Sequence, residues 1–356
     1  MRTFFSLLLS AMVASATATE EPLTRIGFGS CANERRPQPI WDAINELKPQ
    51  LFILAGDNVY ADSGRPEILK RSYDTFGAIP GFATLRASCT VLATWDDHDY
   101  GRNDAGAEWE GKHAAKEAFM EFFETPDDSP LRQREGIHDA AIFGPEGQRV
   151  QVILLDTRWF RGPLKRMDRA ELKRVRAETG TVVGPYLDDE DSESTILGEE
   201  QWAWLVEQLQ KPAELRLLVS SIQAVTVDHG WEKWGNLPRE RRRLFETIRQ
   251  HAPGVIILSG DRHSADVSML PPGTDGGPDY PLYDITSSGL TQTGLSNEPN
   301  RYRVSGDDVF DQANFGWVTI DWEMEDPAIA LEIRDVNGVV VREVQTTLGA
   351  LQPQGS

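Results

Sequence analysis

Four places in the chain gather side chains able to ligate metal ions or move protons, and each follows a short apolar run. They are Gly29-Ser30-Cys31-Ala32-Asn33, Gly56-Asp57-Asn58-Val59-Tyr60-Ala61-Asp62, Trp95-Asp96-Asp97-His98-Asp99-Tyr100-Gly101-Arg102-Asn103-Asp104 and Gly260-Asp261-Arg262-His263-Ser264. A Cys31 thiolate suits a soft or borderline metal. Asp57 follows a glycine that lets the chain turn sharply, and its two oxygens can bridge two cations. Tyr60, three residues on, can turn back toward the same metal. A phenolate forms at neutral pH only beside a strong Lewis acid, which points to ferric iron. His98, next to Asp97, can protonate a departing alkoxide, a task worth about 10²–10⁴-fold in rate. Asp261 and His263, two residues apart on an extended segment, point the same way and can both ligate. Singly, each cluster also reads as ordinary structure: a buried or disulfide-bonded Cys31, a turn capped by Asp57, a solvated acidic loop at 96–104, a satisfied histidine at 263. Together they imply one site, because ends of neighbouring strands lie close in space and α/β proteins bind ligands there.

The elements that must position these groups follow from periodicity. Residues 51–54 are a continuous apolar run, the pattern of a strand buried on both faces; 89–95 repeats it, and 150–155, 215–220 and 255–258 also read as strands. A short β-prone run at 25–29 precedes them. Residues 40–47, 112–124, 199–210 and 239–250 have helical spacing, and Trp202, Leu205, Val206 and Leu209 share one face. From about residue 282 only strand patterns recur, at 317–322, 329–333 and 339–344. Alternating strands and helices followed by strands predict a layered α/β/β/α fold. The charged stretch 162–194 and the Gly/Pro/Asp-rich stretch 271–281 read as surface loops, the first with room for a helix of its own.

Residues 1–18 have the order of a cleavable secretory signal: Arg2, an apolar run at 4–13, then small residues to Ala18. That run is too short for a bilayer, which needs about 20 apolar residues. The expected product is a single domain over 19–356, secreted or periplasmic, exported by the general route because no twin-Arg pair is present. No later stretch reads as a membrane anchor. Lys and Arg number 36 against 56 Asp and Glu, a formal net charge of −20. That balance argues against a nucleic-acid backbone or an anionic bilayer as a standing partner. It leaves anionic substrates open, because a metal pair reverses the local field. The two cysteines, Cys31 and Cys89, are too few for a disulfide scaffold, although one disulfide is the plain reading in an exported chain. Oligomeric state has no signature.

The ordered set GSC, GDNVYAD, TWDDHDYGRND and SGDRHS resembles the alkaline phosphatase D (PhoD) branch of the calcineurin-like metallophosphoesterases. LDTRWFR at 155–161 and LGEEQWAWL at 197–205 resemble segments of the same branch, and the likeness runs from about residue 25 to 286. The resemblance implies a four-layer α/β/β/α sandwich that hydrolyses phosphomonoesters or phosphodiesters with ferric iron and calcium; the wider superfamily uses other metal pairs. It implies Asp57 as the bridge, Cys31 and Tyr60 on the iron, and Asp97, Asn103, Asp261 and His263 completing the metal set. His98 would contact the phosphate or protonate the leaving group, with Asp96 or Asp99 orienting its ring. Arg158 would clamp the phosphate, since a guanidinium suits it bidentately. A liganded Cys31 leaves no disulfide with Cys89. The family's Asn-Asn is Asn103-Asp104 here, which adds a charge near a site that must accept phosphate. The family's extra N-terminal β domain is absent from the pattern. Three other readings stand beside this one: a diesterase for lipid head groups or wall polymers, with Trp231 to Trp234 and the loop from Gly162 shaping its pocket; a calcium-binding structural protein, against which Tyr60 and His263 count; and an inactive relative used for binding.

Overall fold

The apolar runs form strands, and the two-residue period of a strand sends alternate side chains to opposite faces. The computed structural model describes residues 21–179, 183–294 and 298–353. The signal read at 1–18 lies outside the described residues. The strands are β1 (Arg25–Gly29), β2 (Leu51–Ala55), β3 (Thr90–Thr94), β4 (Asp139–Phe143), β5 (Val150–Leu154), β6 (Leu215–Ser220), β7 (Val255–Ser259), β8 (Ala265–Leu270), β9 (Leu282–Ser287), β10 (Asn314–Asp321), β11 (Ala328–Asp335) and β12 (Val340–Thr347). They make two six-stranded sheets, ordered β12-β11-β10-β1-β2-β3 and β4-β5-β6-β7-β9-β8. In the first, β1, β2 and β3 run parallel; in the second, β5, β6, β7 and β9 do.

The two sheets pack on each other. Leu51, Ile53 and Ala55 of β2 share one apolar cluster with Val150, Val152 and Leu154 of β5, Leu217 of β6 and Ile256 of β7. The opposite faces bury against helices. Phe52 and Leu54 pack with Ile40–Leu47, Pro66–Gly77, Pro80–Ser88 and Lys112–Phe122 through Trp41, Tyr73, Phe76, Phe82 and Phe119. Ile153, Leu218 and Ile257 pack with Gly198–Leu209 and Pro238–His251 through Trp202, Leu205, Leu244 and Phe245. The order is helix, sheet, sheet, helix, as the sequence predicts.

Several elements go beyond that reading. Helices Pro66–Gly77 and Pro80–Ser88 each begin on a proline, which is preset for the first helical position. Strands β4 and β8 run antiparallel at the two edges of the second sheet. The charged stretch does carry a helix, Arg169–Thr179. Both cysteines are free, Cys31 buried and Cys89 half-buried, so the disulfide alternative falls away.

Because β1, β2, β3 and β7 are all parallel members of their sheets, their carboxyl ends deliver Ser30-Cys31, Gly56-Asp57, Trp95-Asp96-Asp97 and Gly260-Asp261 to one edge of the sandwich. The turn at Gly56 requires glycine. Its φ is 104°, and a Cβ there would lie 2.7 Å from Asp96 Cβ.

Candidate metal centre

Three groups of side chains at this edge hold ligand atoms close enough to share a cation: Cys31, Asp57 and His263; Asp57, Asp97 and His98; and Asp96, Asp97 and Asp261. Asp57 belongs to the first two and Asp97 to the last two. The groups therefore form one chain of donors, soft at the Cys31 end and all carboxylate at the Asp261 end. Cys31, Asp57, Asp261 and His263 all have left-handed backbone, with φ of 64°, 52°, 68° and 53°. Such conformations cost non-glycine residues about 1–3 kcal/mol each and collect at functional sites.

At the soft end the Tyr60 hydroxyl donates to Asp57 Oδ2 at 3.0 Å and lies 3.3 Å from His263 Nε2. Cys31 Sγ is 3.5 Å from the same Asp57 oxygen and 3.0 Å from Ser288 Oγ, which also accepts the His263 N–H at 2.8 Å. Ser288 thus ties two candidate ligands together. Burial pushes the Cys31 thiol up to about 11. It also holds the Tyr60 phenol well above its usual value, with the Asp57 charge adding to the effect. Asp57 is raised well above the carboxylate range by burial and by Cys31.

At the carboxylate end, Asp97 Oδ2 accepts the Asp104 N–H at 2.6 Å while its Oδ1 has no hydrogen-bond partner. Burial works against ionised Asp97, but Arg158, His98 and the Asp104 N–H outweigh it and lower its pKa. Asp261 is raised to about 7 by burial, partly offset by Arg262. An orphaned buried oxygen on Asp97 and an overloaded set of buried carboxylates fit cations, which supply the missing positive charge and displace the thiol and phenol protons.

His98 borders the cluster. Its backbone N–H donates to Asp57 Oδ1 at 3.2 Å, its ring stacks on Tyr60 with centroids 4.2 Å apart, and its side chain is 18% exposed. Nδ1 lies 2.5 Å from Asp62 Oδ1, which leaves Nε2 for a substrate. Burial lowers the imidazole, but Asp57 and the bond to Asp62 prevail and raise it to about 11.

Several expectations are corrected. The ring partner is Asp62, not Asp96 or Asp99. Asp99 is instead spent on scaffolding: it accepts from the Asp96 and Asn58 N–H groups and the Asn58 amide. Arg158 is no phosphate clamp. Its side chain is 0% exposed, with Nε 2.6 Å and Nη2 2.5 Å from Asp96 Oδ1 and Nη1 2.7 Å from Glu232 Oε2. It neutralises the floor of the site and cannot reach a ligand at the mouth. Asn103 is exposed and makes no hydrogen bond to the candidate ligands among the described residues; the N–H of its neighbour Asp104 holds Asp97 instead. Arg36, exposed and close enough to lower the His263 pKa, is a cation the motifs did not flag.

The two family-like segments meet here as well. Asp156 Oδ1 accepts the Arg158 and Trp159 N–H groups and the Trp95 indole, each at 2.9 Å. Gln201 clamps the Asp156 backbone, accepting its N–H at 2.9 Å and donating to its C=O at 2.8 Å. LDTRWFR and LGEEQWAWL are therefore one bonded unit beneath Trp95.

No curated protein sequence matches the chain. Among solved structures, PhoD superposes with a TM-score of 0.68 at 16% identity, over 96% of this chain and 73% of that one. A dimetal phosphatase from Danio rerio gives 0.54 at 15%, over 92% and 100%. GAP50, the anchor in the inner membrane complex of Plasmodium, gives 0.53 at 12%, over 92% and 89%. These likenesses share the α/β/β/α fold. A family model for PhoD-like phosphatases matches residues 69–321. With that match spanning most of its length, the chain belongs to the PhoD-like phosphatase family, whose members hydrolyse phosphoesters with metal ions.

Proposed function

We propose that the chain cleaves phosphodiesters in preference to phosphomonoesters, at two cations that share Asp57. The observation that carries this is the chain of donor groups joined at Asp57 and Asp97, with a further carboxylate, Asp104, held beside it. A ferric ion suits Cys31, Tyr60, Asp57 and His263, since both the thiol and the phenol must lose protons that burial makes hard to lose. Calcium suits the oxygen donors Asp97 and Asp261, with Asp96 within reach. When bound, the cations supply Lewis acidity, an activated water and neutralisation of charge growing on the phosphoryl oxygens.

The chain's own groups do the rest. Asp62 holds the His98 ring so that Nε2 can give its proton to the departing oxygen. Arg158 and Arg161 both pair with Glu232 and keep the floor from becoming more negative. Arg36, an exposed cation near His263, is available to the incoming ester. Asp104 biases selection: a monoester dianion brings one more negative charge than a diester to a site already rich in carboxylates. The secretory signal read at 1–18 supports action outside the cytoplasm, in the periplasm or beyond the cell.

Comparing kcat/KM for bis-p-nitrophenyl phosphate and p-nitrophenyl phosphate tests the preference. The diester is expected to be the better substrate, and Asp104→Asn should narrow the gap. A monoester turned over faster than the diester, or a ratio indifferent to Asp104→Asn, would overturn it.

A further inference from the structure

Beside the carboxylate end lies a cavity of about 450 Å³ to which the reaction above gives no task. Part of its wall is apolar, from Val183, Trp231 and Pro299. The polar part includes His229, Asp228 paired to Arg301, Glu298 paired to Arg262, Arg303 paired to Asp266, and Asp307. A cavity of about 150 Å³ already holds a benzene ring, so the volume suffices for a substantial organic group.

Three bonded routes join its wall to the metal centre. Arg262 lies 5.2 Å over the Trp231 ring, pairs with Glu298, and places Nη1 3.4 Å from Asp261 Oδ2. Two residues past Gly184 in the wall, the Tyr186 hydroxyl donates to Asp104 at 2.5 Å, and Asp104 in turn holds Asp97. Glu232, next to Trp231, reaches Arg158 and through it Asp96.

The wall is also preset. A Cβ on Gly184 would come within 2.2 Å of Gly230 backbone, and one on Gly230 within 2.7 Å of Gly184 O. The two segments therefore meet at a contact only glycine allows, locked by the Tyr186 N–H bond to Gly230 O at 2.8 Å. His98 stands elsewhere in the site, with Tyr60 and Asp62.

We infer that this cavity is the subsite for the alcohol that stays on phosphorus when a diester is cleaved, and that it accepts alcohols with apolar surface and no negative charge. With the leaving oxygen by His98, one of the remaining positions on phosphorus is free to point toward Asp261 and Arg262, and we place the retained substituent there. With Asp228 paired to Arg301, Glu298 to Arg262 and Arg303 to Asp266, Asp307 leaves the wall one negative charge in surplus, which disfavours a carboxylate or second phosphate on that alcohol. Trp231, half-buried, offers it apolar surface. The inference rests on the diesterase reading proposed above.

The test compares p-nitrophenyl diesters of phosphoric acid that share the leaving group and differ in the retained alcohol: methyl, phenyl and 4-carboxyphenyl. The purified, metal-loaded chain should prefer phenyl over methyl by about tenfold or more in kcat/KM, the scale of burying an aromatic group. It should discriminate against 4-carboxyphenyl relative to phenyl. Trp231→Ala should cut the phenyl-to-methyl ratio about tenfold, mainly through KM, with metal content at the wild-type level. Equal kcat/KM for phenyl and methyl in the wild type overturns the subsite, whatever the variant does. Preference for the carboxylate-bearing diester overturns its charge rule. Absence of turnover on all three, with the monoester still cleaved, overturns the diesterase reading itself.

Discussion

Asp57 and Asp156 look alike in the sequence, each an aspartate just past a buried strand, yet the fold uses them in opposite ways. Asp156 is filled by the protein: three N–H donors reach its Oδ1, and the Ile137 N–H reaches its Oδ2 at 2.9 Å. Asp284 is similar, accepting from the Ala224 and Val225 N–H groups and the Ser259 hydroxyl. Asp57 has one backbone donor, His98 N–H; its other partners are the Tyr60 hydroxyl and the Cys31 thiol, which are themselves candidate ligands. Asp97 has one backbone donor and an orphaned oxygen. A buried carboxylate whose lone pairs are spent on backbone amides is scaffold. One left to protons that a metal can displace is a candidate ligand.

Substitutions on the two sides of that contrast should fail differently. The largest effect is expected from Asp57→Asn, which should lose bound metal and more than about 10³-fold of ester turnover while keeping its circular dichroism spectrum. Next comes His98→Ala: metal analysis should be unchanged while kcat falls about 10²–10⁴-fold, and intact turnover would remove His98 from the chemistry. Asp156→Ala should show the mirror image. It strands several buried N–H donors at about 1–3 kcal/mol each, so the thermal midpoint should drop sharply while metal per folded molecule persists. Metal loss at unchanged stability would erase the distinction. The smallest effect belongs to Asp62→Asn, about tenfold in kcat with little change in metal, the scale of a group that orients another.

The strand-end candidate ligands were legible because each follows the end of an apolar run, and the side chains of Cys31, Asp57, Tyr60, Asp97, Asp261 and His263 do lie together. The layer order was legible for the same reason, since strands buried on both faces and helices with one apolar stripe leave few arrangements. What the chain hides is which polar group reaches which. Asp62 was in view within its motif, but its bond to His98 depends on the 57–62 loop docking on the turn at 97–100, where the Asp62 N–H meets His98 O at 3.1 Å. Arg158 was misread because a guanidinium suits phosphate and carboxylate equally. Only its burial between Asp96 and Glu232, residues far apart in sequence, decides the matter. Ser288 carried a usable signal, a small polar residue just past the end of β9. The helices at 66–77 and 80–88 carried one too, in their leading prolines.

The central claim is that one set of buried ligands, joined at Asp57, holds the cations that drive ester hydrolysis. Elemental analysis of the wild type and Asp57→Asn, paired with bis-p-nitrophenyl phosphate turnover on the same samples, tests it most directly. The wild type is expected to carry two metal equivalents and cleave the ester, and the variant to lose metal and turnover together. A variant that keeps both its metal and its activity would contradict the shared-ligand site.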